Sequence, residues 1–182
     1  VTDVRADGFT LTSTFDELTR TQEWSCATAG LSALQFGGGA AANLAGNNID
    51  ATFNTTNSTG VTLPADLAVG STWTQSLDIE GQMTVEGGIS AAATGTVDYS
   101  AQAVSIETIN VPAGSFEAIK IEFDLTFNIN ATVSGLTVPV TLTGMTTSWY
   151  APNVGWVRSV DNSEFMGTAI STTIELTSYN IP

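Results

Sequence analysis

The stretch IKIEFDLTFNIN, residues 119–130, decides the fold of this protein. Apolar side chains occupy every second position, and polar side chains occupy the positions between them. The apolar set is Ile119, Ile121, Phe123, Leu125, Phe127 and Ile129, and the polar set is Lys120, Glu122, Asp124, Thr126, Asn128 and Asn130. A period of two predicts a β-strand with one buried and one wet face. At about 3.3 Å per residue the strand would run roughly 35 Å, which is typical of a large, twisted or rolled sheet.

The same alternation recurs along the chain. It is clearest in SLDIEGQMTVEGG, residues 76–88, and shorter in GFTLTSTF, GTVDYSAQAVSIETI, LTVPVTLTGMTTSWY and TAISTTIELTSYNI. No segment carries a sustained period of 3.6 residues, which an amphipathic helix would need. We therefore expect an all-β protein with little or no helix: a single domain, residues 1–182, of long antiparallel strands rolled into a barrel or half-barrel. The glycine- and asparagine-rich residues 37–60 are predicted to form a mobile loop region.

Composition excludes several classes of function. The net charge is −14 with only four basic residues, so the chain lacks the basic patch that nucleic acid requires. It contains no His, which excludes Ser-His-Asp and Cys-His catalysis and His-based zinc sites. No phosphate-binding or dinucleotide-binding motif is present. We expect no cofactor, no metal site and no enzymatic activity, and we expect the single Cys26 to be a small buried apolar residue.

Carboxylate pairs are the remaining catalytic candidates, because a glycosidase needs only two carboxylates at a suitable separation. Asp78 with Glu80 and Glu122 with Asp124 stand two residues apart, on faces predicted to be exposed. We interpret them as surface residues and expect Lys120 to make exposed ion pairs with its acidic neighbours. The segment DNSE, residues 161–164, lacks the ordered ligand spacing of a calcium loop and is predicted to be an ordinary turn.

Aromatic residues are the best candidates for a binding site. SWYAPNVGWV places Trp149, Tyr150 and Trp156 around a Pro-Asn turn, where aromatic rings can stack on sugars or bind apolar ligands. Packing of the same rings in the core is the alternative interpretation. Asn54, Asn57 and Asn130 each begin an N-x-[ST] sequon and are candidate glycosylation sites.

Four segments resemble a family of exported bacterial proteins, often lipoproteins, that carry a domain of unknown function. They are LPADLAVGSTWTQSLDIEG from residue 63, VPAGSFEAIKIE from 111, WYAPNVGWVRS from 149 and the terminal ELTSYNIP. The resemblance covers the chain from about Trp24 to its end. It implies a rolled antiparallel sheet outside the cytoplasm and no established catalytic residues. This chain departs from the pattern in lacking a lipobox and in carrying a Gly-Ala-Asn insertion from 37 to 48.

The sequence begins at Val1 without a signal segment, and we interpret it as an exported product that is secreted, periplasmic or held at the cell surface. No stretch is apolar enough for a spanning helix. The leading hypothesis is a non-catalytic protein of the cell envelope or surface that binds a protein partner or self-assembles. The alternative is a carrier that holds a lipid or other apolar ligand in the concavity of a half-barrel.

Overall fold

A computed structural model of the chain describes residues 1–15, 18–35, 50–85, 89–165 and 168–180. Within these residues the structure consists of strands, turns and extended segments, and no helix is present. The strands are β1 (Thr2–Arg5), β2 (Gly8–Phe15), β3 (Leu18–Ala27), β4 (Gly30–Ala33), β5 (Asp50–Gly60), β6 (Leu63–Pro64), β7 (Thr72–Val85), β8 (Ile89–Val111), β9 (Gly114–Val133), β10 (Leu136–Ala151), β11 (Gly155–Phe165) and β12 (Thr168–Glu175).

The strands form two antiparallel sheets. The larger has seven strands in the order β12-β11-β10-β9-β8-β7-β5, and the smaller has five in the order β1-β2-β3-β4-β6. The predicted all-β class with long antiparallel strands is therefore confirmed. The larger sheet does not close into a barrel in the described part of the chain, and its architecture is compatible with the half-barrel form of the prediction.

The alternation in residues 119–130 belongs to β9, which spans 20 residues and pairs with β8 and β10 along its length. The face that carries Ile121 and Phe127 is the core face of the large sheet. Its main cluster contains Leu77, Ile79, Ala93, Val97, Phe127 and Ile129. A smaller cluster lies on the opposite face, near the turn between β8 and β9, and contains Ile109, Ala118, Trp149, Ala151 and Val157.

Two turns follow the sequence closely. β8 ends at Val111 and β9 begins at Gly114, so the Pro-Ala pair between them forms the predicted turn. β10 ends at Ala151 and β11 begins at Gly155, whose φ of 91° favours glycine. The proline and glycine residues of VPAGSF and of WYAPNVGWV therefore connect neighbouring strands.

The two sheets are joined at Gln75, which is buried on the core face of β7. Its amide nitrogen donates to the Ala33 carbonyl at 2.9 Å, and its amide oxygen accepts from the Thr62 hydroxyl at 2.8 Å. The Trp73 indole also donates to the Thr62 carbonyl, at 2.9 Å. A buried amide that satisfies both its donor and its acceptor in this way fixes the smaller sheet against the larger one.

Three predictions need correction. Residues 50–60 form the edge strand β5 and not a loop, because Phe53 and its alternate neighbours pair with β7, whereas residues 37–49 lie outside the described residues. Cys26 is exposed, since it lies beside a turn where the short β4 leaves little to cover it. The DNSE segment continues β11 and is not a turn. The described residues also contain no helix long and apolar enough to cross a membrane.

Candidate functional site

The three aromatic residues of the β10–β11 hairpin do not form one site. An irregularity in the pairing after Trp149 places Trp149 opposite Arg158, and Tyr150 opposite Trp156. Trp149 therefore faces the smaller cluster, while Tyr150 and Trp156 face the core side of the sheet. That all three residues bind a ligand or partner stays a prediction. The structure places Trp149 on one face of the sheet and Tyr150 and Trp156 on the other.

Trp149 is the centre of a charged row across the sheet. It is 8% exposed, its indole nitrogen lies 3.3 Å from Glu107 Oε2, and the Arg158 guanidinium lies 5.3 Å from the centre of its ring. Lys120 lies opposite Trp149 on the other neighbouring strand. Two of the four basic residues of the chain therefore flank one buried indole, which is an arrangement that holds the ring in place.

The charges of this row stabilise one another. Hydrogen bonds from the Ser105 hydroxyl and then from the Trp149 indole lower the pKa of the Glu107 carboxyl. The ion pair with Glu122, 2.8 Å long, raises the pKa of Lys120. The predicted ion pair of Lys120 is therefore present on the wet face of β9, but it is partly buried, because the Lys120 and Glu122 side chains are 24% and 44% exposed.

A groove of about 430 Å³ lies on the same face, beside this row. Its lining includes the carboxylates of Glu122 and Asp124, together with Gln102, Thr74 and Met145. These side chains come from four neighbouring strands that pair in register. The groove has the volume of a small-molecule site, and its lining combines polar groups with the apolar side chains of Trp73, Ala101 and Met145.

A polar cluster on the core face escaped the sequence analysis. It comprises Tyr99, Thr146, Ser148, Tyr150, Ser159 and Asp161, and we refer to it as the core-face polar cluster. Ser148 pairs with Ser159, and Thr146 pairs with Asp161, to which its hydroxyl donates at 2.6 Å. The alternation of 156–161 is broken by the irregular pairing near Trp149, so the sequence alone did not assign these polar residues to the core face.

Four large apolar side chains remain exposed at the far end of the core face. They are Ile89, Val133, Leu136 and Val138, and we call them the apolar end patch. Their exposed fractions range from 39% for Val133 to 69% for Leu136. Val133 pairs with Leu136, and the alternation places all four on the side of the main cluster. The apolar surface of the sheet therefore continues beyond its buried core.

A family model matches residues 40–174, well over half of the chain, and its description is DUF3108-like. The chain belongs to the DUF3108-like family. This family is uncharacterised, so membership assigns no activity. No curated protein and no solved structure matches the chain significantly.

The matched DUF3108-like segment corresponds to the large sheet, from β5 to nearly the end of β12, with β6 included. Strands β1 to β4 lie outside it. All the surfaces described above belong to the matched segment. The candidate glycosylation sites Asn54, Asn57 and Asn130 also lie within it, and all three are exposed. Exposure is compatible with glycosylation, which stays a prediction.

Proposed function

We propose that this protein is a non-catalytic, exported binding protein of the cell envelope or cell surface. In this proposal a protein partner or a second copy of the chain covers the apolar end patch. The observation that carries the proposal is the exposure of Ile89, Val133, Leu136 and Val138 on the face that elsewhere forms the core. Clustered apolar side chains of this size mark interaction sites more often than they mark ordinary surface.

The charge of the chain disfavours binding to nucleic acid or to an anionic membrane surface. A net charge of −14 repels phosphate backbones and anionic lipid headgroups. Strand β12, the last strand of the larger sheet in the described part of the chain, offers a second means of association, because a sheet edge can accept a strand from a partner.

A carrier of a lipid or another apolar ligand is the second candidate. The same apolar end patch favours it, since the rim of a lipid-binding concavity would expose similar side chains. The groove on the opposite face favours this role less, because the carboxylates of Glu122 and Asp124 are part of its mixed lining. The two candidates differ in the mass of the bound molecule, because a carrier binds a lipid or another small apolar ligand and the leading proposal requires a bound protein.

Native mass spectrometry of the protein purified gently from its own source, before and after denaturation, tests both functions. We expect a discrete complex with a protein partner, or discrete multiples of the chain, for the wild-type protein. The double variant Leu136→Thr/Val138→Thr should release the complex, because threonine retains β-propensity but removes apolar surface. Val69→Thr, at an exposed apolar residue elsewhere, is the matched control and should retain it.

The alternative results are equally specific. An added mass of lipid size that is lost on denaturation would replace the leading proposal with the carrier. A bare monomer from the native source would contradict both functions. Recovery of the protein from the cytoplasmic fraction of its source cell would contradict export.

A further inference from the structure

Strand β8 is longer than its neighbour β7 and extends beyond it. Pairing with β7 ends at Gln102, and Ala103 bonds through its backbone to Gly70 and Ser71. Residues 104–111 then pair with β9, and no described residue pairs with their other side. We call residues 104–111 the β8 overhang. At about 3.3 Å per residue, the overhang is an open sheet edge roughly 26 Å long.

The register shows which backbone groups lie on the open edge. Val111 pairs with Gly114 across the hairpin turn, so Val111 and every second residue before it direct their N–H and C=O groups to β9. The residues between them direct these groups outward, and they are Ile106, Thr108 and Asn110. The position of Ala103 agrees with this count, because its N–H and C=O bond to the β7 side, just before the irregularity in the pairing. An unpaired row of backbone groups can accept a further strand.

The side chains of the β8 overhang are open to solvent on the core face. Ile106 is 60% exposed and Val104 is 38% exposed, and Thr108 and Asn110 are exposed as well. On the opposite face, Ile109 is buried in the smaller cluster. A strand added to this edge would therefore cover apolar surface on the core face.

Ile106 also begins an apolar row that crosses the sheet. It pairs with Ile119 on β9, which in turn pairs with Tyr150 on β10. Tyr150 pairs with Trp156 on β11, and all three of these side chains are half-buried. A residue opposite Ile106 on an added strand would extend the row by one strand. Cross-strand pairs of apolar or aromatic side chains stabilise a sheet, so the row favours an apolar residue at that position.

The charged groups of the overhang and its hairpin partner are acidic. Glu107 lies within the overhang, and Glu117 pairs with Thr108 from β9. Neither carboxylate forms an ion pair with a described residue, and the nearby Lys120 pairs with Glu122. A basic segment would complement these charges and the net charge of −14, whereas a second copy of the chain would be repelled.

We propose that the β8 overhang binds an extended, basic segment of a protein partner, which adds to the large sheet as a further strand. Backbone hydrogen bonds to Ile106, Thr108 and Asn110 hold the segment in place. An apolar side chain of the segment lies against Ile106, and basic side chains lie near Glu107 and Glu117. In this mode of recognition the main chain supplies affinity, and alternate side chains supply specificity.

The probe is an eight-residue peptide in which valine alternates with threonine and lysine. Its binding to the full chain is measured by fluorescence polarisation. Two analogues carry backbone N-methyl groups, one on its valines and the other on its polar residues. We expect the probe to bind and one analogue to bind at least about tenfold more weakly, because its methylated edge cannot donate hydrogen bonds to the overhang. No binding of the probe, or equal affinities of all three peptides, would overturn the proposal.

A fourth peptide tests the preference for a basic partner. It carries glutamate in place of lysine and keeps the alternation and the backbone of the probe. We expect it to bind more weakly than the probe at low salt, because its charge has the same sign as Glu107, Glu117 and the chain as a whole. Equal affinities of the two peptides would contradict a basic partner.

Matched variants test the location. Thr108→Pro removes an outward backbone N–H that the fold does not use and should weaken binding of the probe by about tenfold or more. Thr173→Pro makes the same change on the outer side of β12, since Leu176 bonds inward to Val157, and should leave the affinity unchanged. Ile106→Thr retains β-propensity but loses apolar surface, and should weaken binding by about threefold or more. Unchanged affinity in Thr108→Pro, or an equal loss in Thr173→Pro, contradicts the assigned edge.

Circular dichroism and thermal unfolding establish that each variant is folded. If Thr108→Pro does not fold, Ile106→Thr and the methylated peptides decide the proposal. Analytical ultracentrifugation tests the other occupant. A dimer of the wild-type chain that Ile106→Thr and Thr108→Pro dissociate would place a second copy at this edge and overturn the assignment to a basic partner.

This site goes beyond the proposed function and uses none of the residues of the apolar end patch, which lies at the opposite end of β8. The double variant Leu136→Thr/Val138→Thr should therefore bind the probe as the wild type does. A native complex without binding of the probe refutes only the site on the overhang. Binding of the probe without a native complex refutes only the patch.

Discussion

The pKa of Tyr150 reflects its surroundings on the core face. Burial, with a smaller contribution from the Asp161 carboxylate, raises the pKa of its phenol from 10.0 to about 12. The same two causes raise the pKa of Tyr99. Both shifts disfavour the phenolate, because a negative charge would be poorly solvated and close to another negative charge.

We expect the stability of the protein to fall in alkaline solution. The unfolded state loses the Tyr150 proton near pH 10, whereas the folded state keeps it until about pH 12. The raised pKa of Tyr150 therefore adds fully to the free energy of unfolding below about pH 10, and this addition is lost as the pH rises through about 12. Urea unfolding at a series of pH values measures the free energy of unfolding, and a titration of phenolate absorbance measures the pKa of the tyrosines. In the absorbance titration, Tyr150→Phe should remove a phenol that ionises near pH 12. If the phenol that disappears is one that ionises near pH 10, the raised pKa does not belong to Tyr150.

At the scale of the strand, Gly95 permits the close approach of β8 and β9. It lies on the core face between Ile79 and Ile129 on the neighbouring strands. A Cβ at this position would lie 1.9 Å from the backbone oxygen of Asn128. No side chain can occupy that space unless the strands move apart, so the glycine is part of the packing of the large sheet.

Gly95→Ala should lower the free energy of unfolding by about 2 kcal/mol or more, because the added methyl group meets backbone and not a flexible side chain. Urea denaturation measures the change. Thr94→Ala, at the adjacent exposed position of the same strand, is the control and should shift stability by no more than about 1 kcal/mol. Similar small effects from both substitutions would mean that β8 and β9 can separate at this point without cost.

Irregular pairing in two strands also decides which face a residue occupies. The register shifts between Ala103 and Ser105 in β8, and between Trp149 and Tyr150 where β10 meets β11. A shift of one residue reverses the faces of the residues that follow. The shift between β10 and β11 is why Trp156 lies on the core face beside Tyr150, whereas Trp149 faces the smaller cluster through its regular pairing with Lys120 on β9.

At the scale of the whole molecule, Gln75 connects the two sheets. It is 5% exposed and bonds to Ala33 and Thr62, so its removal leaves buried polar groups without partners. Gln75→Met should lower stability by about 1–3 kcal/mol in thermal or urea unfolding. Gln82→Met on the same strand is exposed and is the matched control. A Gln75→Met protein as stable as the wild type would exclude a contribution from this junction.

The sequence by itself determined the all-β class, the wet and buried faces of β9, and the turns after Val111 and Ala151. Strand alternation and turn residues are local signals, and the structure follows them. It could not determine the strand order, the register shifts near Ala103 and Trp149 or the exposure of Cys26, because these depend on which strands meet. The core-face polar cluster also required the tertiary structure, since only the pairing of strands β8 to β11 places Tyr99, Tyr150 and Asp161 on one face of the sheet.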